Sequence, residues 1–525
     1  MKNSSSEQRR NFNLLLLAAL AVFILCIFPN ATGAKDSNML AVFEIDEFAQ
    51  YPHLIRMLTA GDSLYQTLRN FLIYLHYFYG YPFYFFSAIT MLIPRLLMGN
   101  EWSQHTQAIL TILRQMIGVL PMLASGLLWT WMLTRFASRW KSLLVFLTLI
   151  SIPAVFANNF WWHPDSLAFL FVSLTFFCFE RDNLQFNRFY WLAAFCTGLA
   201  AGTKHLGEFF VLVVPVYLAW GIFSKRISWA KAALLAGGFL AVMALAVVIS
   251  NPLLLLPIER GEIIRYQLIQ WRETTQGSLV AHQGLTLNQQ TIQFLFSNSG
   301  GIILSLFSLI GLIHASLKSE KRIFYTLILA WLIPFGWVTL GGSSLRPHYL
   351  IPLLIPLLAA GLMVGLQLQS GRYRNIFLAI VVFQLMVSAW YDFQVIRSTL
   401  NRETDSQSIR FYHYVADEIL SDMEPAPGLI FRDWQIYIPE DVDYEVVFDW
   451  NNATYTRLEE IQPDILLLEQ ERIRLFSGQE EGTQLAQGVD GSDWFIFYSD
   501  AANNHIQGYH LIYENQFGKV FVKNP

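Results

Sequence analysis

Phe43-Glu44-Ile45-Asp46-Glu47-Phe48-Ala49-Gln50-Tyr51 sets three carboxylates among apolar residues, shortly after an apolar run that covers 13–30. A helix crosses the hydrocarbon core with about 20 largely apolar residues, so that run reads as a membrane span and the carboxylates fall at its mouth. Removing carboxylates from water is costly unless a cation, a metal or a hydrogen-bonding substrate compensates. An acidic pair between membrane helices is therefore a functional-site candidate, with an ordinary solvated loop as the plain alternative.

The rest of the chain agrees with a bilayer as solvent. Over 525 residues, 54% are hydrophobic, 15% aromatic and only 14% charged, more apolar surface than one water-soluble core needs. The net charge of −4 and the lack of a basic stripe interleaved with aromatics give no sign of a nucleic-acid partner. Cys26, Cys178 and Cys196 lie in apolar runs and imply no disulfide framework. Arg9 and Arg10 before the first run, with Ala31-Thr32-Gly33 after it, imitate a signal peptide; the run's length favours an uncleaved span.

Further spans are expected near 108–134, 143–161, 165–180, 189–206, 208–224, 230–252, 299–317, 323–341, 349–368 and 375–392, about eleven in all. The segment 82–98 is apolar but short and holds Pro82, Pro94 and Arg95; counting it as a span would invert everything after it. Treated as a juxtamembrane helix, it lets Arg135/Arg139/Lys141, Arg181/Arg188, Lys225/Arg226/Lys231, Lys318/Lys321/Arg322 and Arg372/Arg374 share one side with Arg9 and Arg10. Short cytoplasmic loops are rich in lysine and arginine, so the N-terminus is expected in the cytoplasm. The opposite loops, above all 31–107 and 253–298, then face outwards with the tail.

The expected division is a membrane domain over 1–397 and a soluble extracytoplasmic α/β domain over 398–525, with the boundary near Ser398–Asp405. Strands are expected at Leu429–Phe431, Tyr444–Phe448, Asp464–Leu468, Trp494–Tyr498, His510–Tyr513 and Lys519–Val522, with helices near 407–422 and 455–461.

Outward-facing polar residues recur at several span ends. Trp161-Trp162-His163-Pro164-Asp165-Ser166 puts an imidazole and a carboxylate beside aromatics able to stack on a sugar, although Pro-Asp-Ser is also an ordinary helix start. Lys204 and His205 close one span, Arg346-Pro347-His348-Tyr349 opens another, and Arg114 lies just inside a third. One such cation merely snorkels to the interface. Several on the face opposite the positive side call for an anionic ligand, and a lipid-linked phosphate is the simplest. Tyr79 and Tyr81 are candidate sugar or acceptor contacts, and the charges from Glu259 to His282 read mostly as a solvated helix. Asp46, His163 and Asp165 leave divalent-metal use open. Glycine-rich phosphate loops, His-Glu-x-x-His and Gly-x-Ser-x-Gly are absent from the sequence.

In order, Asp46-Glu47 with Tyr51 and Gly61-Asp62, Tyr81-Pro82-Phe83-Tyr84, Leu113-Arg114, Pro164-Asp165, Gly198-Leu199 with Thr203-Lys204, and Arg346 with Tyr349-Leu350-Ile351-Pro352 resemble the GT-C superfamily of membrane glycosyltransferases. Within it, the set is similar to family 39, which holds the protein O-mannosyltransferases and the aminoarabinose transferases; the likeness covers 13–392. It implies transfer of a sugar from a polyprenyl-phosphate donor to a protein, lipid or glycan acceptor at the outer face of the cell (inner) membrane, by a displacement that inverts the anomeric centre. Asp46 and Glu47 would be catalytic, Arg114, Lys204 and Arg346 would hold the donor phosphate, and His163, Asp165, His205 and Tyr349 would contact substrate. His163 stands where many relatives have arginine, and 63–81 lacks the acidic residue and paired prolines of the aminoarabinose enzymes, which leaves sugar and acceptor open. Two other classes compete: a lipid or solute transporter, which needs ionisable groups near the midplane, and a non-catalytic envelope assembly protein.

Overall fold

The computed structural model describes residues 2–276, 289–342, 345–368, 371–449, 453–478 and 492–525; His282 lies outside them. Helix α1 (Lys2–Asn30) is followed by four helices before the next span: α2 (Ser37–Phe43), α3 (Ile45–Leu58), α4 (Leu64–Leu72) and α5 (Tyr81–Met98). Asp36 and Ser63 cap α2 and α4 by accepting from the backbone N–H of Met39 and Gln66.

Among the described residues, seven helices are long and apolar enough to cross a membrane, or nine if each of two bent pairs is one span. The expected count of about eleven is not matched by that test. Helices Asp165–Asp182, Arg188–Thr203 and Phe210–Phe223 exist where spans were expected but are short or carry charge at their ends. The 93° bend between Gln289–Ser299 and Ile302–Lys318 falls on Gly300 and Gly301, whose φ of 81° and 151° suit glycine.

Tyr81–Met98 is itself among the seven, yet both its ends lie on one face. Gly80 N donates to Thr203 O at 3.1 Å, at the end of helix Arg188–Thr203. After seven intervening residues helix Thr106–Leu113 begins, and there the Gln107 amide reaches Ala31 O, just past α1. The helix thus starts beside the end of one candidate span and finishes near the end of another. On the opposite face, Arg135 and Lys321 both pair with Glu180, and the Lys141 Nζ donates to Leu366 O at 3.3 Å.

The last long helix runs unbroken from Gly371 to Asp405. Beyond it stand β1 (Leu429–Arg432), β2 (Glu445–Val447), β3 (Ile465–Glu469), β4 (Tyr509–Glu514) and β5 (Gly518–Lys523), in the order β2-β1-β3-β5-β4. β1 is parallel to β2 and β3, whereas β5 is antiparallel to β3 and β4. Strand side chains alternate, so Ile465 and Leu467 pack with Ile409, Phe411 and Val415 on one face, and Leu466 and Leu468 with Ile473, Phe476 and Phe497 on the other. A strand buried on both faces is apolar throughout, hence Ile-Leu-Leu-Leu in β3.

The expected strand at Trp494–Tyr498 is instead part of helix Ser492–Ala502. Five consecutive apolar residues carry no period; the helix is favoured because Phe497, Tyr498 and Ala501 then face the sheet together.

The tail is pinned to the first loop. Asp36 accepts from the Tyr437 hydroxyl at 2.8 Å, Asn38 bridges Arg432 and Ile438 O at 3.0 Å each, and Met39 belongs to the sheet's apolar core. A Cβ on Gly80 would lie 1.6 Å from Gly202 O. Gly80→Ala should therefore destabilise the protein by about 1–3 kcal/mol, read as a lowered thermal midpoint in detergent; an unchanged midpoint would refute the close approach.

Candidate active site

Asp46 and Glu47 occupy the first turn of α3, where the helix dipole favours negative charge. Successive helical residues point roughly 100° apart, so the two carboxylates go different ways. Glu47 turns inwards and is fully buried. Arg114 Nε and Nη2 reach its two oxygens at 2.8 and 2.5 Å, and Trp162 N donates to Oε1 at 2.6 Å. Arg114 Nη1 donates to Asn30 O and Thr32 O, both at 2.8 Å. This corrects two expectations: Glu47 is not placed to act on a substrate, and the fully buried Arg114 has no face left for a phosphate. Burial and the neighbouring Glu47 push the Glu44 carboxyl up to about 8. Asp46 is left as the carboxylate at the mouth.

Around Asp46 the expected residues largely converge. Its Oδ2 lies 3.7 Å from Arg346 Nη1 and 3.8 Å from His163 Nε2, outside hydrogen-bond range of both. Asp165, at the start of its helix, pairs with His163 Nδ1 and accepts from Lys204 Nζ at 2.6 Å. Burial lowers the pKa of His163, which favours the neutral ring. A carboxylate only accepts, so Nδ1 carries the proton and Nε2 accepts from the Tyr79 hydroxyl at 2.7 Å. Lys204 lies 5.0 Å from the Tyr349 ring centre, and Trp161 stacks on His163 at 3.9 Å. Asp46 is 27% exposed and Arg346 49%, whereas His163 is 2%. The cluster thus has a wet rim and a dry floor.

His205 does not join it. Its ring is held by Glu208 at 2.6 Å and by Gln267 on helix Pro257–Gln276. His348, by contrast, enters the cluster 5.1 Å from His163 and 4.7 Å from Trp161. Its only sequence signal is its place between Arg346 and Tyr349. The expected metal set of Asp46, His163 and Asp165 is replaced by His163, Asp165 and His348, whose ligand atoms lie within 4.8 Å of one another. Two imidazoles and a carboxylate suit a zinc-like ion, but Lys204 and Tyr79 already hold the lone pairs such an ion would take.

No protein-family model matches the sequence, and no curated protein matches it. Solved structures do. ArnT from Cupriavidus metallidurans bound to undecaprenyl phosphate superposes with a TM-score of 0.52 at 12% identity, over 98% of each chain. Its apo state gives 0.50 at 11% identity, over 97% of this chain and 99% of that one. The fold is of the GT-C type. An oligosaccharyltransferase from Archaeoglobus fulgidus aligns at 0.46 and 12% identity, over 88% of this chain and 70% of the other. The 98% of this chain that superposes on ArnT takes in the C-terminal sheet as well as the helices.

Removing one partner of the Glu47–Arg114 pair strands a buried charge. Glu47→Gln should cost about 3–5 kcal/mol and Asp46→Asn far less, as measured by thermal unfolding of matched detergent samples. Equal losses would contradict the division of labour between the two carboxylates.

Proposed function

We propose that the protein is a membrane glycosyltransferase that moves a sugar from a polyprenyl-phosphate donor to a hydroxyl acceptor at the outer face of the cell membrane, with the C-terminal domain on the same side. The observation that carries this is the run Arg346, Asp46, His163, Asp165, Lys204, in which each member lies within 4 Å of the next. Four of these residues come from separate parts of the sequence; a non-catalytic scaffold gives no reason for them to meet. A transporter would want its ionisable groups near the midplane, whereas these gather at helix ends. The GT-C fold supports the class, and the undecaprenyl phosphate held by ArnT supports a lipid-linked donor.

In this reading the acceptor oxygen attacks the anomeric carbon while Asp46 takes its proton, and the sugar–phosphate bond breaks with its electron pair leaving on the phosphate. One displacement inverts the anomeric centre. Lys204 and Arg346 stabilise the phosphate charge as it grows. His163 and Tyr79 fix Asp165, which holds the Lys204 ammonium in place; Trp161 and Tyr349 offer faces for the sugar. A divalent ion at His163, Asp165 and His348 is the second reading, and it would require Lys204 and Tyr79 to move.

Transfer should be measured from a panel of radiolabelled polyprenyl-phosphate monosaccharides into membrane extract. Asp46→Asn should lower the rate about 10²–10⁴-fold, the usual worth of a general base, without changing the amount of folded protein. Lys204→Met should lower it about 10²–10³-fold. Wild-type transfer that Asp46→Asn leaves untouched would remove Asp46 as base. If chelation abolished transfer and zinc restored it, the metal reading would replace the lysine one.

A further inference from the structure

A cavity of about 310 Å³ opens where the tail meets α2. It lies at the carboxyl ends of β1 and β3, lined there by Gln435 and Glu469. β2 and β3 flank β1 on opposite sides, and such a reversal of strand order is where open α/β sheets bind ligands. Junctions between domains are a second such place, and the volume is at the lower end of small-molecule sites.

The lining sets the ligand's chemistry. Ser406, Gln407, Glu471 and Gln516 join Gln435 and Glu469, so amides, carboxyls and a hydroxyl supply donors and acceptors side by side. Phe43 and Phe517 add apolar faces. Arg474 is the single cation against two glutamates, which disfavours a phosphate. Burial and the neighbouring Asp433 push the Glu469 carboxyl up to about 7, so near neutrality it can donate or accept.

We propose that this cavity is a subsite for a neutral, hydroxyl-rich ligand, a saccharide unit of the acceptor. The word acceptor rests on the glycosyl-transfer reading; the saccharide chemistry rests on the cavity alone. Phe43 connects the two places: it lines the cavity and precedes Asp46 by three residues, a chain length of no more than about 10 Å. A glycan seated against Phe43 would extend from the tail towards the mouth where Asp46 lies.

The test is saturation-transfer NMR on the full chain in detergent, with methyl mannoside, methyl glucoside and maltose as probes. Three variants are compared with wild type: Gln407→Trp, which fills the cavity from an exposed position; the exposed pair Glu471→Ala with Gln516→Ala; and Asp46→Asn. At least one probe should give signal with wild type and with Asp46→Asn, and bind about tenfold more weakly to both tail variants at unchanged thermal midpoints. Absence of signal from every probe with wild type overturns the subsite. Signal that survives Gln407→Trp but vanishes in Asp46→Asn also overturns it, by moving the saccharide to the membrane-face cluster. Saccharide binding at the tail without label transfer from any donor would sink the transfer reading instead, and label transfer without tail binding would sink the subsite alone.

Discussion

The buried contact between Glu47 and Arg114 is the constraint on which the rest of the site depends. It joins α3 to the start of the second span, and through Trp162 N, Asn30 O and Thr32 O it also holds the end of α1 and the turn before helix Asp165–Asp182. Charges taken out of water are tolerated when hydrogen bonds satisfy both partners, and here four donor–acceptor contacts of the guanidinium do so. Fixing Glu47 fixes the rotation of α3. Because Asp46 is its neighbour, the same rotation turns Asp46 to the mouth.

A second constraint acts from the tail. Thr32 is held by Thr399 O at 2.8 Å and by Arg402, Gly33 N donates to Glu403 at 2.6 Å, and α2 packs into the tail's sheet. The segment carrying the acidic cluster is therefore clamped at both ends, by Arg114 below and by the final helix and tail above. A loop with several carboxylates would otherwise prefer water; the clamp makes its position a property of the whole fold.

The membrane class was legible because bilayer thickness acts on sequence directly, whereas the count of about eleven spans went beyond the seven to nine that pass by length and composition among the described residues. Five of six expected tail strands were legible as short apolar or β-branched runs bounded by turns; Trp494–Tyr498 was not, since an unbroken apolar run suits a buried helix equally well. Within the site, chemistry-bearing residues could be read from their side of the membrane, but burial could not. Glu47 and Arg114 look like substrate contacts in a linear reading, and only packing shows them facing each other. His205 and His348 are the mirror case: neighbouring polar groups draw the first away, and a tilted ring contact with Trp161 brings the second in. Position on a face is encoded locally, whereas the partner across the cavity is encoded some hundred residues away.

The charges of the cluster give its two carboxylates, one at the rim and one buried, different surroundings. Asp46 and Asp165 balance Lys204 and Arg346 before any ligand arrives, so the cations need no bound anion to be held together. Asp165 sits 2.6 Å from Lys204 and is buried, a fixed counter-ion that orients the ammonium. Asp46 and Arg346 are 3.7 Å apart at the wet rim, close enough to attract and too far to hydrogen-bond. On the proposed reading an arriving phosphate would draw Arg346 away from that loose pair more easily than Lys204 from its tight one. Asp46 would then be left facing the mouth without that cation beside it, while Lys204 stayed with Asp165.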